Sequence, residues 1–243
     1  MTTFSLLISD LHLSDAQPVV TQQFIQFLTY TAPSAKAVYI LGDLFEYWLG
    51  DDTLTQPYPT LICQALRQLS DSGVNLYLIH GNRDFLLGAA FAQLCGLTLL
   101  EDPCPIDLHG TPTLLMHGDT LCTDDTGYQQ FRQQVRNPAW QQHFLSLPLP
   151  ERVALARDAR EQSTAAQPLK SSNIMDVNIT AVNDTLRHYH YPRIIHGHTH
   201  RPALHAVTVD QHACERWVLP DWHATQAGWL KCDSTGCRFE GYP

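Results

Sequence analysis

The chain has no long apolar run. No stretch among its 243 residues approaches the roughly 20 apolar positions needed to cross a bilayer, so no membrane anchor is predicted. It also lacks the basic start and extended apolar core of a secretory signal. Phe4 to Ile8 is short, broken by Ser5 and followed by Asp10, and the expected location is the cytoplasm. No Cys-x-x-Cys pair occurs among Cys63, Cys95, Cys104, Cys122, Cys214, Cys232 and Cys237. An odd, unpatterned set predicts reduced, mostly buried thiols, and excludes disulfides and structural zinc as expectations. Basic charge is scarce as well. Fifteen Lys and Arg face 24 Asp and Glu, a net −9, which argues against a phosphate-neutralising nucleic-acid surface. There is no repeat, low-complexity block or disorder signature, and residues 1–243 are expected to form a single enzyme-sized domain.

What is present is a recurrent placement of metal-capable side chains. The apolar residues Phe4, Leu6, Leu7 and Ile8 lead into Ser9-Asp10-Leu11-His12. Val38 to Leu41 leads into Gly42-Asp43, and Val74 to Ile79 into His80-Gly81-Asn82-Arg83-Asp84. Leu114 to Met116 leads into His117-Gly118-Asp119, and Ile194-Ile195 into His196-Gly197-His198-Thr199-His200. Such short apolar, β-branched runs closed by glycine read as buried strands. Because α/β proteins place their chemistry where strands end, these residues are predicted to converge on one sheet edge. Gly42, Gly81, Gly118 and Gly197 stand where backbone must turn sharply or leave room. Asp-x-His or Gly-Asp alone is an ordinary turn. His-Gly-His-Thr-His carries more information, because closely spaced imidazoles beside a glycine seldom serve structure only. Together Asp10, His12, Asp43, Asn82, His117, His198 and His200 read as ligands for two divalent ions. Carboxylates, imidazoles and one amide, with no thiolate, suit Mn²⁺ or a similar ion better than tetrahedral zinc.

In this order, Asp-x-His, Gly-Asp, Gly-Asn-x-Asp, His-Gly-Asp and Gly-His-x-His resemble the signature of the calcineurin-like metallophosphoesterases over residues 9 to 201. More narrowly, three segments resemble the UDP-2,3-diacylglucosamine hydrolases, a family that makes the lipid A precursor of Gram-negative bacteria. They are Gly42-Asp43-Leu44-Phe45-Glu46-Tyr47-Trp48-Leu49-Gly50-Asp51-Asp52, His80-Gly81-Asn82-Arg83-Asp84-Phe85, and His117-Gly118-Asp119-Thr120-Leu121-Cys122-Thr123-Asp124-Asp125. The resemblance implies an α/β fold, a two-sheet α/β/β/α sandwich with an inserted helical cap. It implies two Mn²⁺ ions per chain, one held by Asp10, His12, Asp43 and His200, the other by Asp43, Asn82, His117 and His198, with Asp43 as the bridge. Two-metal centres clamp the attacking and leaving oxygens of an in-line displacement on phosphorus. A metal-held hydroxide would then attack the α-phosphorus of UDP-2,3-diacylglucosamine, giving UMP and the diacylated sugar 1-phosphate. Asp43, Asn82, Arg83 and His198 are the implied catalytic residues. The family pattern uses only the last two histidines of the cluster, which leaves His196 to its strand.

The resemblance also implies that Asn82, Arg83, Asp125, Ser163, Gln167, Lys170 and His198 meet the substrate. Gln167 stands where the family has asparagine, and Thr164 to Leu169 departs from the family's more polar run. Arg83 departs from the wider superfamily, many members of which have a histidine after the metal-binding asparagine. Arginine cannot give up a proton at neutral pH, but it offers fixed charge and forked hydrogen bonds to phosphate oxygens. A phosphate leaving group has a second pKa of about 6 and departs as a stable anion, so Arg83 favours diphosphate cleavage over removal of phosphate from serine. The competing expectation is a plain charge pair between Arg83 and Asp84.

Between Tyr128 and Lys170 six basic residues face three acidic ones, a local +3 within a chain of −9. This stretch, part of an insertion spanning 124–170, reads as helices at Asp124–Arg136, Pro138–Leu147 and Pro150 to about Ser163. Phe131, Phe144, Leu145, Leu147, Leu149, Val153 and Leu155 are more apolar residues than short helices lying on a sheet require. A basic, apolar helical cap suits an anionic substrate with acyl chains, and Tyr128 and Phe131 are expected to contact it. Ser172 to Tyr189 reads as one long helix ended by Pro192. Stretches near Ala203–Val209, Arg216–Leu219, Trp229–Asp233 and Arg238–Glu240 are expected to be antiparallel strands completing the second sheet. Glu46, Asp51, Asp52, Asp84 and Asp119 are expected to orient ligands or cap turns, Asp84 and Asp119 foremost. Peripheral contact of the cap with the cytoplasmic face of the inner membrane follows from a substrate whose acyl chains lie in a bilayer. Two other readings fit parts of the pattern: hydrolysis of soluble nucleotide diphosphates, and a non-catalytic scaffold of the same fold.

Overall fold

The computed structural model describes residues 3–166 and 176–241, the last five of the first stretch by backbone only. Strands β1 (Phe4–Ile8), β2 (Ala37–Ile40), β3 (Asn75–Ile79) and β4 (Leu97–Leu100) run parallel. They are linked through helices α1 (Pro18–Gln26), α2 (Pro57–Asp71) and α3 (Ala89–Cys95). Strands β5 (Cys104–Leu108) and β6 (Thr111–Leu115) form a hairpin that opens a second sheet. Three helices follow, α4 (Thr126–Val135), α5 (Pro138–Ser146) and α6 (Leu149–Ala166), and then α7 (Ile179–His188) leads into β7 (Arg193–His196). The chain ends in β8 (Ala203–Val209), β9 (His212–Val218), β10 (Trp229–Asp233) and β11 (Gly236–Glu240). The six-stranded sheet has the order β11-β10-β1-β2-β3-β4, and the five-stranded sheet β5-β6-β7-β9-β8.

Successive side chains on a strand point to opposite faces, and both faces of these central strands are buried, which is why they are continuously apolar. In the first sheet Leu6, Ile8, Val38, Ile40, Leu76 and Leu78 pack with Phe24, Ile62, Leu66 and Phe91 of the covering helices. Their alternates Leu7, Leu41 and Ile79 meet Leu115, Ile195, Trp217 and Leu219 of the second sheet. On the far side Leu114 and Ile194 pack with Val182 and Leu186 of α7. The chain is therefore a four-layer α/β/β/α sandwich.

Four sequence expectations need correction. The ligand-bearing strands lie in two sheets, β1, β2 and β3 in one and β6 and β7 in the other, so the residues converge on the shared edge of a sandwich. The C-terminal strands are divided: β8 and β9 join the second sheet, while β10 pairs antiparallel with β1 and carries β11. Alternation identifies a half-exposed strand but does not say which sheet will pair with it. The last helix begins only at Ile179, because Asn178 Oδ1 accepts hydrogen bonds from Thr180 N (2.9 Å) and Ala181 N (3.2 Å) and caps it. Residues 172 to 175 of the longer expected helix lie outside the described residues. Finally, Cys232 and Cys237 form a disulfide, because the β10–β11 register places them directly opposite, with Cα atoms 4.1 Å apart. Cysteines flanking a tight hairpin turn carry this pairing without any Cys-x-x-Cys spacing.

Candidate active site

The seven residues read as ligands come together. Five of them adopt left-handed backbone conformations: Asp10 (φ 55°), His12 (φ 49°), Asp43 (φ 52°), His198 (φ 67°) and His200 (φ 54°). Asp and His tolerate that region better than most residues, yet each instance costs of order 1 kcal/mol and persists only where the surroundings hold it. Here the holding contacts are cross-strand hydrogen bonds: Asp10 N to Gly42 O (3.1 Å), His12 N to Asp43 O (3.0 Å), and Gly197 N to His117 O (2.9 Å). The two sheets are tied at the same edge, where His198 N donates to Asp10 Oδ2 (2.8 Å) and His117 Nδ1 donates to Leu41 O (2.9 Å). Gly81 and Gly197 make this approach possible. A Cβ on Gly81 would overlap the Asp43 carboxylate, and one on Gly197 would overlap Ser9 Oγ and Asp10 Oδ2.

Two donor clusters result. In the first, Asp10 Oδ1 lies 3.4 Å from His200 Nε2, which is 3.4 Å from His12 Nε2, and His12 Nδ1 lies 3.9 Å from Asp43 Oδ2. In the second, Asn82 Oδ1 lies 2.8 Å from both His117 Nε2 and His198 Nδ1, and Asp43 Oδ1 is 3.8 Å from His117 Nε2. Asp43 reaches both clusters through its two oxygens.

These donors fit divalent cations on chemical grounds. His117 Nδ1 faces a carbonyl, which only accepts, so a neutral ring presents its Nε2 lone pair to another acceptor, Asn82 Oδ1. Asp10 Oδ1 is buried without a hydrogen-bond partner. Without a cation, protons take up the charge. Burial opposes a charged His117, but Asp43 and Asp10 outweigh it and hold the imidazole up to about 9. Burial pushes Asp43 up to about 7. Burial likewise opposes a charged His200, which Asp10 and Asp221 hold up to about 10. Burial depresses His12 and His198 to about 4, leaving their nitrogens free to ligate at neutral pH.

The surrounding carboxylates divide by task. Asp84, fully buried, accepts from Leu44 N (2.8 Å), Gly81 N (2.8 Å) and Asp43 N (3.3 Å), so it fixes the two glycine turns rather than an imidazole. Asp84→Ala would strand three buried donors at about 1 to 3 kcal/mol each. We expect a loss of at least about 3 kcal/mol of stability by denaturant unfolding, and a loss under 1 kcal/mol would refute that role. Asp51 accepts from Gly88 N and Phe91 N at the start of α3. Asp52 pairs with Arg152 of α6. Asp119 pairs with Arg132 Nε (2.8 Å) and with the Tyr128 hydroxyl, anchoring α4. Glu46 lies 3.6 Å from His12 Nδ1, 3.6 Å from Arg83 Nη1 and against Arg160 of α6. Arg83 therefore pairs with Glu46, not Asp84, and its own N–H donates to Asp43 Oδ1 (2.8 Å).

His196 is fully buried, its ring nitrogens facing the Gly197 carbonyl and Arg216 Nη1. Asp125 caps α4, accepting from Tyr128 N (3.1 Å). Tyr128 places its ring 5.9 Å from that of His198. Ser163 belongs to α6 by backbone only, and Gln167 and Lys170 lie outside the described residues. The sequence reading missed Ser9, whose hydroxyl donates to Asp10, and Asp221, 3.4 Å from His200 Nδ1. Ser9 stands beside Asp10 in sequence, whereas Asp221 sits in no motif and only the fold brings it back to the edge.

The profile of calcineurin-like phosphoesterases matches residues 5–202, spanning every one of these strand ends. The chain belongs to the calcineurin-like phosphoesterase family. This phosphoesterase is 51% identical to the UDP-2,3-diacylglucosamine hydrolase of Aromatoleum aromaticum over 96% of its own length and 94% of the relative's. It is 50% identical to the protein of that name from Stenotrophomonas maltophilia, over 97% and 96% of the two chains. The Edwardsiella ictaluri protein of that name is also 50% identical, over 98% of this phosphoesterase and 92% of the relative. Membership makes it a hydrolase with a divalent-metal centre, and among its described residues Asp10, His12 and His200, and Asp10, Asp43 and His117, lie close enough together to hold such ions.

Proposed function

We propose that this phosphoesterase hydrolyses the diphosphate of UDP-2,3-diacylglucosamine in lipid A biosynthesis, giving UMP and 2,3-diacylglucosamine 1-phosphate. Two Mn²⁺ ions would be held by Asp10, His12, Asp43 and His200 and by Asp43, Asn82, His117 and His198. The observation that carries this reading is the meeting of all seven side chains at one sandwich edge, in a chain about half identical to relatives of that name along nearly its whole length. When bound, such ions lower the pKa of water and neutralise charge on the phosphoryl oxygens.

The protein's own residues do the rest. Asp43 shares its carboxylate between the clusters, and Arg83 N–H locks that carboxylate in place. Arg83 extends a guanidinium, held by Glu46, that supplies fixed positive charge to the diphosphate. No proton donor is needed, because the sugar 1-phosphate leaves as an anion. Helices α4 to α6 stand over this edge, pinned by Asp119–Arg132, Asp52–Arg152 and Glu46–Arg160. They leave Phe131, Leu145, Val153 and Leu155 each more than 40% exposed, an apolar surface for acyl chains. Among the described residues no helix is long and apolar enough to cross a membrane. We assign contact with the lipid surface to this cap, as a peripheral and transient encounter on the cytoplasmic face of the inner membrane.

Attack at the α-phosphorus forms a bond from the water oxygen to that phosphorus and breaks its bond to the bridging oxygen, which leaves with the sugar 1-phosphate. Turnover in ¹⁸O-water is therefore expected to place the label in UMP. Label in the sugar 1-phosphate would mean attack at the β-phosphorus and would overturn the proposed geometry.

A further inference from the structure

Asp221 lies outside every strand-end motif, in the segment between β9 and β10. Its Oδ2 nevertheless stands 3.4 Å from His200 Nδ1. The other nitrogen of that ring, Nε2, faces Asp10 Oδ1 and His12 Nε2 at 3.4 Å each. The position of Asp221 is imposed by its neighbour. Trp222 N donates to Asp10 O (3.0 Å), its buried indole sits edge-on to Phe24 and Phe27, and its Nε1 donates to Gly228 O (3.0 Å). The Asp221 carboxylate is thus tethered to the same strand end that presents Asp10.

A neutral imidazole has one donor nitrogen and one acceptor nitrogen, and the partner on one side decides which is which. A carboxylate at Nδ1 places the proton there, points the lone pair of Nε2 into the donor cluster and sets the plane of the ring. We propose that Asp221 is a positioning residue for the first ion of the proposed centre, acting through His200. The second cluster is built differently. His117 Nδ1 rests on the neutral carbonyl of Leu41, and among the described residues no carboxylate oxygen lies within 4.0 Å of a ring nitrogen of His198. A carboxylate raises the basicity of a ligating imidazole more than a neutral acceptor does. The Asp10, His12, Asp43, His200 cluster is therefore the tighter of the two, and Asp221 is one cause of the difference.

The inference rests on the two-ion reading above, and the experiment separates their failures. Metal-stripped full-length protein is titrated with Mn²⁺, following free Mn²⁺ by its electron paramagnetic resonance signal, for the parent chain, Asp221→Ala and Asp221→Glu. The parent is expected to bind two ions with unequal affinities. Asp221→Ala is expected to weaken the tighter ion by about 10- to 100-fold, leave the weaker one unchanged and leave metal-free unfolding unchanged, while Asp221→Glu restores part of the loss. Unchanged binding in Asp221→Ala, or equal weakening of both ions with a loss of metal-free stability, would overturn the positioning role. A parent chain that binds no Mn²⁺ would overturn the two-ion reading itself.

Discussion

Asp43→Ala is expected to slow UMP release from UDP-2,3-diacylglucosamine by at least about a thousandfold, or ~4 kcal/mol of lost transition-state stabilisation. The size follows from what the side chain touches. Asp43 is buried, and its Oδ1 accepts the Arg83 N–H at 2.8 Å and lies 3.8 Å from His117 Nε2. Its Oδ2 lies 3.9 Å from His12 Nδ1. Removing it withdraws a ligand from both proposed ions at once and frees the backbone that presents Arg83. Alanine also fits a φ of 52° less readily than aspartate. The measurement is a steady-state rate at saturating Mn²⁺ beside an unfolding curve of metal-free protein. A folded variant that keeps a tenth of the parent rate would show that Asp43 is not shared between two ions.

A UDP-sugar without acyl chains is expected to react about a thousandfold less efficiently in kcat/KM than the diacylated substrate. Each buried methylene contributes about 0.8 kcal/mol, so engaging only five gives about 4 kcal/mol, close to a thousandfold. The side chains proposed for this lie on the helices α4 to α6. Phe131 of α4 is 42% exposed, Leu145 of α5 42%, and Val153 and Leu155 of α6 46% and 49%. Phe144 and Val135 are buried, Phe144 within the core cluster of the first sheet. We assign these exposed apolar side chains on three successive helices to contact with the acyl chains. Equal rates for the two substrates would remove the acyl-binding role and favour a hydrolase of soluble nucleotide diphosphates. The diphosphate chemistry would survive that result.

All seven proposed ligands were legible in the sequence because each follows a short apolar run, and a strand buried on both faces must be apolar until the chain leaves the sheet. The residues around them were less so. Asp84 and Asp119 announced themselves as carboxylates beside ligands, but sequence spacing does not distinguish an acceptor of backbone N–H groups from one facing a side chain. Arg83 had a carboxylate next to it in sequence and pairs with a different one in space, because both Asp84 oxygens are taken by backbone N–H groups while Glu46 faces the guanidinium. Cys232 and Cys237 were read by count when the hairpin register decided their pairing.

The sequence by itself determined the strand ends, the residues proposed as donors and the class of chemistry, since these depend on residue type and local periodicity. Tertiary structure alone decided how five strands divide between two sheets, and therefore that the donors meet across a sandwich edge. It also decided that Asp221, carried by a segment that returns to β1 through Trp222, stands behind His200. Contacts between residues far apart in the chain are set by which surfaces must be buried together, and no local pattern encodes that choice.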